Sequence, residues 1–148
     1  MTIALPDEAA SAAFGARLAA LVRPGDVITL TGSLGAGKTS IARGLLAALG
    51  LEGEAPSPSF AIVQPYAPPE TALPVLHVDL YRIEDPEEIA ELGLDEAAAD
   101  SLLIVEWPDR APGAWPEALA LAIEFTPDGG RRLTAQVPAA WKARWPFP

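Results

Sequence analysis

Residues Gly32-Ser33-Leu34-Gly35-Ala36-Gly37-Lys38-Thr39 place glycine at the first and sixth positions and then lysine and threonine. This is G-x-x-x-x-G-K-[ST], the pattern of a loop that cradles phosphates. Glycines let the backbone turn tightly, so that N–H groups converge on an anion. A helix starting at the end of the loop adds the partial positive charge of its N-terminus. In such a loop Gly35, Ala36 and Gly37 supply backbone donors, and Lys38 can reach β- and γ-phosphates. Thr39 can ligate Mg²⁺ through its hydroxyl, and Ser40 can offer its N–H and hydroxyl to an α-phosphate.

A Mg²⁺–nucleotide site also needs a carboxylate, usually at the end of a neighbouring strand, to hold the metal or a water on it. Two apolar runs end this way. "PVLHVD" delivers Asp79 and "SLLIVE" delivers Glu106. The other acids fall mostly in helices or loops, where a solvated face accounts for them. His77 shares a strand face with Asp79 and reads as a hydrogen-bonded structural residue rather than a base. "SPSF" carries Ser57 and Ser59 at the place in chain order where phosphate-loop switches sense the γ-phosphate. An ordinary proline turn explains it equally well.

The elements that must position these groups can be read from periodicity. "TIAL" is a short strand. The helix after it starts acidic at Pro6, Asp7 and Glu8 and puts Ala10, Phe14, Leu18, Leu21 and Val22 on one face. "VITLT" has no charge, as expected of a strand buried on both faces. Ile41, Leu45, Leu46 and Leu49 form the apolar stripe of the helix after the phosphate loop, with Gly50 as its stop. "FAIVQPYA" is a strand interrupted by Pro65 and so belongs at an edge. "VLHVDLYRI" is a strand. "DPEEIAELG" is a helix capped by Asp85 with Pro86 first and Gly93 last. "DEAAAD" is short helix or irregular, and "SLLIVEWP" is a buried strand ended by Pro108. "ALALAIEFTPDGGRRLTAQV" is a hairpin. The tail "PAAWKARWPFP" shows no regular pattern, and its tryptophans either pack on the domain or touch a partner. Strands and helices alternate early and a hairpin comes late. This predicts one α/β domain over residues 1–148: three layers of the phosphate-loop NTPase type, with helices flanking a mixed central sheet.

The chain has 148 residues, half of them apolar, no cysteine and a net charge of −10. No run approaches the roughly 20 apolar residues of a membrane span, and no signal peptide is evident, so a soluble, cytoplasmic protein is expected. Lysine occurs only at Lys38 and Lys142. So acidic a surface repels a phosphate backbone, and any RNA must be held by a partner.

"LGAGKTS", "SPSF", "HVDLYR" and "VEWP", in this order and in a chain this short, resemble the TsaE (YjeE) family. The likeness covers about residues 3–137. It implies a Mg²⁺-dependent ATPase supporting threonylcarbamoyladenosine formation on tRNA, together with the proteins TsaB and TsaD and touching tRNA only through them. It further implies that residues 35–40 hold the phosphates of ATP and that Thr39 and Glu106 bind Mg²⁺. Lys38, Asp79 and Glu106 then serve catalysis, with Asp79 supporting the metal or the attacking water. Ser59 stands at the γ-phosphate sensor, and Asp7, Glu8, Gly130 and Arg131 lie near the base and ribose. The chain departs from the family pattern at Ser33, usually aspartate, and Ser59, usually threonine.

Two other functions use the same kind of loop. A small-molecule kinase needs an acceptor site and an arginine-rich lid. Here the arginines are scattered, with only Arg131 and Arg132 adjacent. A GTPase switch needs an N-K-x-D segment to read guanine, and none is present. No general base or arginine finger is obvious, although Arg43 and Arg82 could stabilise charge. Hydrolysis is therefore expected to be slow in isolation and faster when partners order the "SPSF" loop.

Overall fold

A computed structural model describes residues 2–33, 36–53 and 63–145. The uncharged run Val27–Gly32 forms the central strand. In chain order the elements are β1 (Thr2–Leu5), α1 (Glu8–Leu18), β2 (Val27–Gly32), α2 (Lys38–Ala48), β3 (Val63–Tyr66), β4 (Val75–Asp79), α3 (Pro86–Glu91), α4 (Leu94–Ala98), β5 (Leu102–Glu106), β6 (Leu119–Phe125), β7 (Arg131–Gln136) and α5 (Ala139–Lys142). The strands form one sheet in the order β1-β7-β6-β2-β5-β4-β3. β2 runs parallel to β5 and β6, and β4 parallel to β5. β7, β1 and β3 are antiparallel to their neighbours. The sheet is therefore mixed and the fold α/β. Pro65 lies in the edge strand β3, where its missing N–H breaks no inner ladder.

One face of the sheet carries the main core. Leu18 of α1 and Ile41, Leu45 and Leu46 of α2 pack with Ile28, Leu30, Ile104, Leu119 and Leu121 from the strands. The opposite face is covered over β4 and β5, where Leu94 and Ile83 meet Val78, Leu103 and Val105. Over β6 and β7 that second face exposes Ala122, Glu124, Arg132, Thr134 and Gln136.

Local chemistry sets the helix ends as expected. Asp7 caps α1 by accepting from the Ala10 N–H at 2.8 Å, and Asp85 caps α3 by accepting from Glu87 at 3.0 Å. α1 and α2 touch through glycines. A Cβ on Gly15 would lie 2.0 Å from the Ile41 carbonyl oxygen, and one on Gly44 would lie 2.0 Å from that of Ala12. No side chain larger than hydrogen fits at either crossing point.

Two expectations need correction. The strand expected to run to Ile83 stops at Asp79, because the Asp79 carboxylate accepts from the Tyr81 N–H at 2.9 Å and turns the chain. The tail is not irregular throughout: Ala139–Lys142 is helical, and Trp141 is buried in the main core. Arg144 stacks over Trp141 and pairs with Asp26 at 2.7 Å, which ties the tail to the turn before β2. The start of the strand expected from Phe60 lies outside the described residues. Among the described residues, no helix is long and apolar enough to cross a membrane.

Candidate active site at the phosphate loop

β2 ends at Gly32 and α2 begins at Lys38, so the glycine motif spans the strand-to-helix turn. Gly37 adopts a left-handed conformation at φ 110°, which a side chain would strain. A Cβ there would make ordinary contact with Ser11 and Arg131, so the strain comes from the backbone. The Ala36 N–H donates to the Ser33 carbonyl at 3.1 Å and closes a tight turn. Ala36 is buried, while Ser40 is half-buried in the first turn of α2.

Lys38 folds back over this turn. Its Nζ donates to the carbonyls of Gly32 at 2.7 Å and Ser33 at 3.0 Å, and it sits 4.5 Å from the centre of the Trp107 ring. Burial holds its pKa below the ordinary lysine value of 10.5, against the opposing pull of the Glu106, Asp79 and Asp109 carboxylates.

Strand register brings the two carboxylates together. β4 and β5 are parallel with Asp79 opposite Glu106, and β2 places Leu30 beside Glu106 on the other side. Glu106 shares a face with Leu102 and Ile104, so it points toward α2. There Oε1 accepts from Thr39 Oγ1 at 3.1 Å, and Oε2 lies 2.6 Å from His77 Nε2. Both carboxylates are nearly sealed from solvent, Glu106 at 2% and Asp79 at 6% exposure. Lys38, Thr39, Asp79 and Glu106 therefore form one cluster.

A second group of expected residues gathers on the other side of the loop. Arg131 Nε donates to the Ala36 carbonyl at 3.0 Å. Gly130 abuts Pro6, so the hairpin packs on the start of α1, where Glu8 is exposed. Gly35, Ser57 and Ser59 lie outside the described residues. Arg82 is exposed, and the charge of Arg43 acts on the Tyr66 hydroxyl.

Sequence reasoning missed two participants. Trp107 adopts a left-handed backbone at φ 61°, held by its N–H to the Leu30 carbonyl. Its ring packs against Lys38 and, at 4.8 Å between centres, against Tyr81. Its place directly after Glu106 was the available signal. His77, read as structural, bonds directly to Glu106; its alternation with Asp79 showed the shared face but not the partner.

The donor set fits a Mg²⁺–nucleotide. A hydroxyl and a carboxylate are hard oxygen donors, and Mg²⁺ commonly binds one or two carboxylates with phosphates and water completing its shell. Among the described residues no group of three or more His, Cys, Asp or Glu is placed to hold a metal ion. The buried ammonium and the left-handed Gly37 are what a phosphate cradle requires.

Comparison with known proteins identifies the family. The family model described as "Threonylcarbamoyl adenosine biosynthesis protein TsaE" matches residues 5–133. A tRNA threonylcarbamoyladenosine biosynthesis protein TsaE from Streptomyces coelicolor is 44% identical over 94 residues, 63% of this chain and 64% of that protein, just under two thirds of its length. The protein of the same name from Haemophilus influenzae is 35% identical over 124 residues, 80% of this chain and 77% of its own. The crystal structure of Bacillus subtilis YdiB superposes with a TM-score of 0.81 at 28% identity, covering 97% of this chain and 89% of that one. This chain belongs to the TsaE family of tRNA threonylcarbamoyladenosine biosynthesis proteins.

Proposed function

We propose that this chain binds ATP with Mg²⁺ and hydrolyses it in support of threonylcarbamoyladenosine formation on tRNA, acting with TsaB and TsaD. The observation that carries the reading is the bond from Thr39 Oγ1 to Glu106 Oε1, which brings the two expected metal ligands together beside Lys38. Mg²⁺ held there would neutralise charge that develops on the phosphates. Thr39 and Glu106 would hold it. Lys38 places a positive charge against the phosphates. Asp79, with Oδ1 oriented by the Tyr81 N–H, would accept a hydrogen bond from a metal-bound or attacking water.

Among the described residues the cluster contains no histidine free to act as a base, since His77 is engaged with Glu106. Intrinsic hydrolysis is expected to be slow and to be accelerated by TsaB and TsaD. The net charge of −10 supports an accessory role in which the partners hold the tRNA.

Calorimetry with ATP and GTP, with and without Mg²⁺, tests the nucleotide reading. ATP should bind, GTP more weakly, and Lys38→Ala should abolish binding. Phosphate release by the chain alone and with purified TsaB–TsaD tests the rest. No heat with ATP, or turnover as fast alone as in the assembly, would overturn the proposal.

A further inference from the structure

Glu106 has two carboxylate oxygens, and they face different partners. Oε1 meets Thr39 at the phosphate loop, whereas Oε2 meets His77 at 2.6 Å. His77 has no solvent exposure. An ionised carboxylate can only accept, so this bond places the ring hydrogen on Nε2. Nδ1 is buried without a hydrogen-bond partner among the described residues, so the bond to Glu106 is the ring's one side-chain hydrogen bond there. The backbone of His77 is also held from both sides, opposite Ile104 of β5 and Gln64 of β3. Away from water, the low local dielectric strengthens such a bond.

This arrangement has a consequence for the metal. Mg²⁺ keeps a tight octahedral shell and takes single carboxylate oxygens, whereas Ca²⁺ takes six to eight oxygens and readily uses both oxygens of one carboxylate. We propose that His77 is a positioning residue that holds Glu106 Oε2, turns Oε1 toward the cation, and so favours single-oxygen coordination and biases the site toward Mg²⁺ over Ca²⁺. This rests on the Mg²⁺–ATP reading above. His77 touches neither metal nor nucleotide; it acts through Glu106.

Calorimetry on the intact chain separates the possibilities. ATP binding is measured in EDTA and then with Mg²⁺ or Ca²⁺ titrated in, for the wild type, His77→Gln and His77→Leu. The leucine variant should bind ATP in EDTA within about twofold of wild type yet need roughly tenfold more Mg²⁺, as loss of a partner behind a metal ligand typically does. Its Ca²⁺ requirement should rise less or fall, so the Mg²⁺ to Ca²⁺ preference drops about fivefold or more. His77→Gln, which keeps an N–H donor, should retain most of the preference. A purely structural role would weaken ATP binding in EDTA and both metals alike. A leucine variant with an unchanged metal preference overturns the assignment. Wild-type ATP binding that ignores both metals overturns the Mg²⁺–ATP reading and this assignment with it. Should the leucine variant not fold, nitrogen-15 NMR of the wild-type ring decides: a slowly exchanging hydrogen on Nε2 supports the proposal, and one on Nδ1 sinks it.

Discussion

Thr39 Oγ1 lies 3.1 Å from Glu106 Oε1, although 67 positions separate the two residues in the chain. The contact joins the first turn of α2 to the last residue of β5. It exists because β5 is the parallel neighbour of β2 and ends level with Leu30, two residues before the phosphate loop. Glu106→Gln and Thr39→Val should therefore act on the same step. Each should raise the Mg²⁺ concentration needed for half-maximal ATP binding by at least about tenfold. A metal titration that either variant leaves unchanged removes that residue from the site.

Lys38 makes stability depend on pH in a direction that can be checked. Its folded-state pKa is below 10.5 because of burial, so between that value and 10.5 the unfolded chain binds more protons than the folded one. Stability from this group therefore rises as pH climbs through the window. Lys38→Met lacks the group. Without nucleotide, the melting temperature of the wild type should gain on that of Lys38→Met as pH is raised toward 10.5. A difference that stays flat with pH contradicts the burial of the ammonium.

The glycine crossing of α1 and α2 predicts a coupling between core and site. Gly15→Ala or Gly44→Ala sets a methyl against a backbone carbonyl, and the helices must separate. Overpacking of this kind costs about 1–3 kcal/mol. Because α2 carries Lys38 and Thr39, ATP affinity should fall along with the denaturation midpoint. The gain of about 1 kcal/mol in helix propensity from glycine to alanine offsets only part of this cost. Retention of full stability in both glycine variants would show that the helices have room to spare.

The tail makes a separate prediction. Arg144 binds both oxygens of Asp26, at 2.7 and 3.0 Å, and also the Leu21 carbonyl at 2.8 Å. Both side chains of the pair are mostly buried. Arg144→Ala should destabilise the fold by about 2 kcal/mol, because it leaves Asp26 without its buried cation. Arg144→Lys should recover little, since an ammonium cannot match the two-pronged geometry. Chemical denaturation measures both, and ATP affinity should not change. An unaltered midpoint for the alanine variant would rule out a stabilising role for the tail.

Much of the site is legible in the amino-acid sequence. Glycine spacing, a lysine and a threonine specify a phosphate loop because backbone N–H groups need glycine turns to converge. Apolar runs that end in Asp79 and Glu106 are readable because strand periodicity and strand termination are local properties. The acidic start of α1 at Asp7, the helix cap at Asp85 and the edge placement of Pro65 are readable for the same reason. The end of β4 at Asp79 is not, because the apolar pattern continues through Leu80 and Ile83 while a side-chain bond from Asp79 turns the backbone. Nor is the short helix at Ala139–Lys142, which is held by Trp141 packing into a core built elsewhere.

By itself, then, the order of residues determined which chemistry was on offer: an anion cradle, one ammonium, hard oxygen donors and an acidic exterior. Those are properties of side-chain type and of spacing along a few residues. The tertiary structure alone decided the pairings. Glu106 reaches Thr39 through one oxygen and His77 through the other, Trp107 lies against Lys38, and α1 and α2 meet at two glycines. Such contacts depend on strand order, register and helix crossing, which bring together residues dozens of positions apart, and no local pattern records them.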